Sequence, residues 1–134
     1  MWGISHNSVC TDKRCMICPS LIEEASFTFK NGQTFTVMQD ISCQTKNLVY
    51  TIICSNCGEF YVGETKNELW TRMTVHRQQT RHQDLIIRAN EHFHDCSGGH
   101  FKIFPLYKVN IEGDFLRRKE TLLINILKPS LNDK

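Results

Sequence analysis

The sequence predicts an α+β fold: a small antiparallel three-stranded sheet flanked by helices, entered through an N-terminal segment that carries a β-hairpin. Three observations predict it. A β-branched run at residues 48–54 is joined by a short turn to a second extended run at 60–63. Segments with helical period follow at residues 65–76 and 114–127. Upstream, aromatic and β-branched residues alternate on both sides of Asn31-Gly32.

Residues 1–46 read as a segment distinct from a domain at 47–134. Cys10, Cys15 and Cys18 sit there among polar and turn residues. The alternation around Asn31-Gly32 predicts a hairpin with a type I′ turn, because both residues accept positive φ. Residues 48–54 (Leu-Val-Tyr-Thr-Ile-Ile-Cys) are apolar enough for a buried strand. The turn-like Ser55-Asn56-Cys57-Gly58 should fold the next strand back antiparallel. Thr65-Lys66-Asn67-Glu68 has the form of a capping box, so a helix is expected to start at Thr65. A second helix is expected over residues 84–95, and a third strand over 101–109, interrupted at Pro105. Asp114 is placed to cap a last helix that ends before Pro129.

With 134 residues the chain suits one domain with a small appendage, and 40% hydrophobic with 22% charged residues is ordinary for a globular protein. No apolar run approaches the roughly 18 residues of a membrane helix. The start lacks the plan of a signal peptide. The chain is therefore expected to act inside the cell and away from membranes. A net charge of +2 does not by itself announce nucleic acid. Arginines are nevertheless grouped: Arg72, Arg77, Arg81 and Arg88 in one stretch, Arg117-Arg118-Lys119 in another. Arg77, Arg81 and Arg88 recur at helical intervals and form a candidate phosphate-contacting face, with solvated helix faces as the competing reading.

Seven cysteines fit poorly with a closed disulfide set. Cys54-x-x-Cys57 lies between the first two strands. Both thiolates of such a turn can face one tetrahedral zinc ion, whose other ligands would be downstream histidines or cysteines. Two buried thiols are the alternative. Cys10, Cys15, Cys18 and Cys43 flank the hairpin and form a second candidate zinc site, against redox-active disulfides. One or two structural zinc ions are thus expected, stapling the hairpin segment in the second case.

Several polar residues point where apolar ones should. Glu120 shares a stripe with Leu116, Leu123 and Leu127. A buried carboxylate needs a cation or a donor, and a structural salt bridge would also serve. Arg72 shares an inward stripe with Leu69 and Met73, and His76 follows one turn later. Tyr50 and Tyr61 stand on adjacent strands, where core packing is their usual role. Together the five suggest a pocket.

Leu48-Val49-Tyr50, Tyr61-Val62-Gly63, Arg72 with His76, Glu120 and Asn132 follow one another in an order that resembles the motifs of GIY-YIG endonucleases. Asn47-Leu48-Val49-Tyr50, Tyr61-Val62-Gly63-Glu64-Thr65, Glu91-His92-Phe93 and Leu127-Lys128-Pro129-Ser130-Leu131-Asn132 are more narrowly similar to the endonuclease of Penelope-like retroelements. The resemblance covers about residues 43–132. One departure is Leu-Val-Tyr in place of Gly-Ile-Tyr, with the tyrosine retained.

The resemblance implies phosphodiester hydrolysis by in-line attack of water. Tyr50 would be the general base or proton relay, helped by nearby positive charge because a free phenol titrates near pH 10. Arg72 would hold phosphate oxygens. Glu120 would bind a catalytic Mg²⁺ (or Mn²⁺). Tyr61 and His76 would position groups or pass protons, and Asn132 would lie near the site. His92 and His100 would complete the Cys54–Cys57 zinc site, with Cys96 and His94 as competitors. The implied substrate is double-stranded DNA, nicked in the nucleus for retroelement insertion by part of a reverse transcriptase polyprotein that uses an RNA template. Two other functions compete: a catalytically inactive, zinc-stabilised DNA-binding or docking module, and a zinc-ribbon interaction domain. Neither explains a buried carboxylate opposite an arginine.

Overall fold

A computed structural model describes residues 7–8, 15–81, 88–109 and 115–132, with the backbone alone at Asn7, Ser8, Arg81 and Arg88. The elements run β1 (Asn7–Ser8), a short 3-10 turn (Cys18–Ser20), β2 (Ser26–Thr28), β3 (Thr34–Thr36), β4 (Ile41–Ser42), β5 (Leu48–Cys54), β6 (Phe60–Thr65), α1 (Leu69–Arg81), α2 (Arg88–Ser97), β7 (Phe101–Lys108) and α3 (Phe115–Leu127). The main sheet has three antiparallel strands in the order β6-β5-β7. Two smaller pairings accompany it, β2 with β3 antiparallel and β1 with β4 parallel.

All seven residues of β5 are buried, as its unbroken apolar run requires of a central strand. Both sheet edges are covered. On β6, Leu131 N–H donates to the Phe60 carbonyl. On β7, Ile22 N–H donates to Ile103, and the Gln39 amide pairs with both backbone groups of Lys108. Such cover removes the free donors and acceptors of an open edge. The hairpin segment shares one core with the sheet: Ile17, Leu21, Phe29, Val37 and Ile41 belong to the same buried cluster as Tyr50, Phe104 and Leu123. Phe29 stacks on Phe60, with ring centroids 4.3 Å apart.

Local geometry differs from the sequence expectations at three places. The hairpin turn is a three-residue loop, not type I′. Phe29 and Gln33 close it, and only Gly32 takes positive φ (+92°). That leaves Asn31 free to cap a helix: its Nδ2 donates to the Leu127 carbonyl at the end of α3, at 2.7 Å.

The helix expected at Thr65 begins at Leu69 instead. Thr65 completes β6, and its hydroxyl accepts from Asn67 N–H in a local turn. The first N–H groups of α1 are satisfied from outside, Leu69 by the Thr45 carbonyl and Trp70 by the Cys43 carbonyl. Pro105 does not interrupt β7. It lies on an edge strand beside a register shift at Val49/Tyr50, where a missing N–H is tolerated. The Asp114 cap and the expected start of the second helix at residue 84 lie outside the described residues.

Candidate active site

Tyr50 sits at the middle of the sheet, paired in register with Gly63 on β6. A Cβ added at Gly63 would stand 2.7 Å from the Tyr50 hydroxyl and 2.8 Å from the Tyr61 ring. Glycine is therefore required there by space, and its lack of a side chain lets the two tyrosines converge. From the other side α1 delivers its buried stripe Leu69, Met73, His76 and Thr80, with Arg72 half-buried at its flank.

The Tyr50 hydroxyl lies 2.9 Å from His76 Nε2 and accepts from Arg72 Nε at 3.2 Å. His76 Nδ1 lies 3.1 Å from Asn90 Oδ1, and Asn90 Nδ2 donates to Gln79 Oε1 at 2.7 Å. Tyr50, His76 and Asn90 are all fully buried. Tyr61 is half-buried, with its ring edge-on to His76.

Burial governs how these groups titrate. It pushes the Tyr50 phenol above its ordinary value, and the opposing Arg72 charge does not overcome it. Burial, then the Arg72 charge, depress His76 to about 4, against the Asn90 hydrogen bond. Near neutrality the pair is a protonated phenol beside a neutral imidazole.

Glu120 is half-buried on α3, between the buried leucines predicted for that stripe. Burial raises its carboxyl to about 7, and the nearby Glu64 carboxylate adds to the rise while Arg117 opposes it. Among the described residues no cation lies within ion-pair distance of Glu120. The salt-bridge reading thus lacks its partner here. Two acidic groups that repel each other on a partly buried surface are a donor set suited to a hard, oxygen-preferring cation.

The family model of the GIY-YIG catalytic domain matches residues 46–132, about two-thirds of the chain. The chain belongs to the GIY-YIG family. Family members are nucleases, so the Tyr50–Arg72–His76 constellation stands in a domain built to act on nucleic acid. No curated protein and no solved structure shows significant similarity to the chain.

This GIY-YIG domain brings Tyr50, Tyr61, Arg72 and His76 together as the sequence predicts. Glu120 lies near enough to raise the Tyr50 phenol. Asn132 reaches the site through the backbone. Its side-chain amide accepts from Val62 N–H and donates to the Val62 carbonyl, both at 2.8 Å. It locks the β6 backbone between Tyr61 and Gly63. Arg77 donates to the Met16 carbonyl at 2.8 Å and lines a cleft of about 170 Å³ with Ser20, Ser55, His100 and Lys102. The side chains of Arg81 and Arg88 lie outside the description.

The thiols cluster in two places. Cys54, Cys57, His92 and Cys96 bring one ligand atom each within 4.8 Å of one another. His100, the expected fourth ligand, turns into the Arg77 cleft, and His94 binds the Thr80 carbonyl. The physical reason is helical spacing: His92 and Cys96 are four residues apart on α2 and share a face, whereas His100 follows the Gly98-Gly99 turn. The His-x3-Cys spacing could have been read from the sequence. Burial disfavours the Cys54 thiolate, but the backbone N–H groups of Cys57 and Asn56, with hydrogen bonds from Ser97 and Cys96, together outweigh it and lower Cys54 to about 6.

In the second cluster Cys15 Sγ lies 3.6 Å from Cys18 and 3.9 Å from Cys43. A zinc tetrahedron with sulfur at about 2.3 Å has edges of about 3.8 Å, so these sulfurs have metal-site spacing and not disulfide spacing. Both clusters are compatible with zinc. Cys10, the expected fourth ligand, lies outside the described residues. No helix among those residues is long and apolar enough to cross a membrane.

Sequence reasoning also missed Asn90, Gln79 and Glu64. Asn90 had a legible signal, since a polar residue stands between Ala89 and Phe93 on an otherwise apolar stripe.

Proposed function

We propose that the chain is a metal-dependent DNA endonuclease that hydrolyses one strand of duplex DNA. The observation that carries this is the Tyr50 hydroxyl, held between Arg72 Nε and His76 Nε2 within reach of the Glu120 charge. Because burial keeps Tyr50 protonated, it acts as a relay and not as a stored phenolate. As a water attacks phosphorus, its proton passes to the Tyr50 oxygen while the Tyr50 proton passes to His76 Nε2. A P–O bond forms to the water oxygen and the P–O bond to the leaving oxygen breaks, that oxygen taking a proton from solvent while the relay runs back and His76 returns its proton to solvent through Tyr50. Arg72 keeps donors for the phosphate and lowers the cost of negative charge on the phenol.

Glu120, with Glu64 beside it, would hold Mg²⁺ or Mn²⁺. When bound, the ion supplies charge stabilisation at the leaving oxygen. Zinc in the two thiolate clusters would fix α2 and the hairpin segment. The sequence resemblance to Penelope-like endonucleases supports a role in nicking nuclear target DNA for retroelement insertion, within a reverse transcriptase polyprotein.

The test is supercoiled plasmid incubated with the full chain, with and without Mg²⁺. Nicked circles should accumulate only with the ion. DNA binding without any nicking in Mg²⁺ or Mn²⁺ would favour an inactive docking module.

A further inference from the structure

We propose that Asn90 is a positioning residue for cleavage: it fixes His76 in the Nδ1–H tautomer, so that Nε2 stays bare to take the Tyr50 proton. This rests on the reading of Tyr50 and His76 as a relay.

The direction of the hydrogen-bond chain follows from its first member. A guanidinium can only donate, so the Tyr50 oxygen accepts from Arg72 Nε. The single Tyr50 proton must then go elsewhere, and the acceptor that the structure supplies is His76 Nε2, at 2.9 Å. A bare Nε2 places the proton of the neutral imidazole on Nδ1. Nδ1–H faces Asn90 at 3.1 Å, so Asn90 must present its oxygen. Its NH₂ then needs an acceptor and finds Gln79 Oε1 at 2.7 Å. Each link from Arg72 Nε to Gln79 Oε1 has one donor and one acceptor in this arrangement. Reversing the imidazole would aim both Nε2–H and Arg72 at the Tyr50 oxygen and leave a buried phenolic proton without a partner, which is costly.

The groups facing His76 are Tyr50 from β5, Tyr61 from β6, Arg72 from α1 and Asn90 from α2. Asn90 is the one that contacts Nδ1. It is fully buried and two residues from His92, so α2 serves both the relay and the thiolate cluster. The division of labour is that of a base oriented by a third group through its remote nitrogen.

The experiment uses the ¹⁵N-labelled full chain. Long-range ¹⁵N–¹H correlations of the His76 ring, assigned by the signals lost in His76→Gln, should show Nδ1 protonated and Nε2 bare. In Asn90→Ala the fixed tautomer should be lost, and kcat should fall on the order of ten- to a hundredfold with little change in KM. Asn90→Asp, which keeps the acceptor and the shape, should recover most of that rate at its own pH optimum. Gln79→Ala, at a half-buried site, should loosen the same lock without threatening the core. An Nε2–H tautomer in the unmodified chain would overturn the inference. So would an Asn90→Ala enzyme with unchanged tautomer and rate, or an Asn90→Asp enzyme no better than Asn90→Ala. If the chain cuts no DNA, the ring signals still decide the tautomer, and the failure falls on the nuclease reading alone.

Discussion

Tyr50 and Cys54 leave the same face of β5 about 13 Å apart, four residues at about 3.3 Å each, yet their surroundings obey opposite rules. Around Tyr50 a protonated phenol, a neutral imidazole and the Arg72 cation are paired by hydrogen bonds. Folding alone can hold such a network. Around Cys54 three sulfurs and an imidazole crowd together, with one thiol biased toward its anion. That end has the donor set and spacing to hold a metal ion. In the proposed function one end of the strand moves a proton and the other holds a frame. Helix α2 joins them, with Asn90 in one network and His92 and Cys96 in the other.

Breaking the frame should have the largest effect. The purified chain should carry about two zinc ions, and elemental analysis checks the count. Chelation should remove binding free energy on the order of 10 kcal/mol, and melting and cleavage should collapse together; Cys57→Ser should shift both the same way by less. A zinc-free chain that melts normally would end the distinction between the two regions.

Glu120→Gln should separate chemistry from frame. Cleavage should fall on the order of a thousandfold, the worth of several kcal/mol of metal stabilisation. DNA binding should persist or tighten, because repulsion of phosphate is relieved. If Glu120 were only structural, the variant would instead melt lower and cut normally. Gly63→Ala should press a methyl against both tyrosine rings and cost about 1–3 kcal/mol, with a rate loss as Tyr50 shifts. Thermal melting and single-turnover cleavage on one preparation measure both.

The smallest effect is in pH dependence. In metal-free protein the Glu120 carboxyl is raised from 4.5 to about 7, first by burial and then by Glu64. Its contribution to stability is therefore complete below about pH 4.5 and is lost as pH rises through about 7. His76 works the other way: its value falls from 6.5 to about 4, so its contribution is lost as pH falls through that window. The melting difference between the metal-free chain and Glu120→Gln isolates the carboxylate. It should grow across that interval and shrink when Mg²⁺ is added. A flat difference would show that Glu120 does not feel burial.

What the sequence made legible divides along the same line. The strands announce themselves through unbroken apolar runs, and the leucine stripe on α3 exposes Glu120 as an intruder. Tyr50, Arg72 and His76 are readable because each is polar on an inward face. Contacts between remote segments are not readable that way. Nothing in Thr65-Lys66-Asn67-Glu68 tells that the Thr45 and Cys43 carbonyls will cap α1, so the capping box reads as a helix start four residues early. The bonds from Asn132 to Val62 are hidden in the same way, because they depend on residue 132 lying along the edge of β6. The choice of Cys96 over His100 was readable in principle, from their places on and beyond α2.

The most direct measurement of the central claim is the single-turnover nicking rate of Tyr50→Phe, taken with its melting curve and zinc content. The substitution keeps the buried ring and removes only the oxygen between Arg72 and His76. The rate should be lower by on the order of a hundredfold or more, with any bound zinc retained and melting changed little. Near-normal nicking by this variant would contradict it, and would place the proton acceptor outside the Tyr50 network.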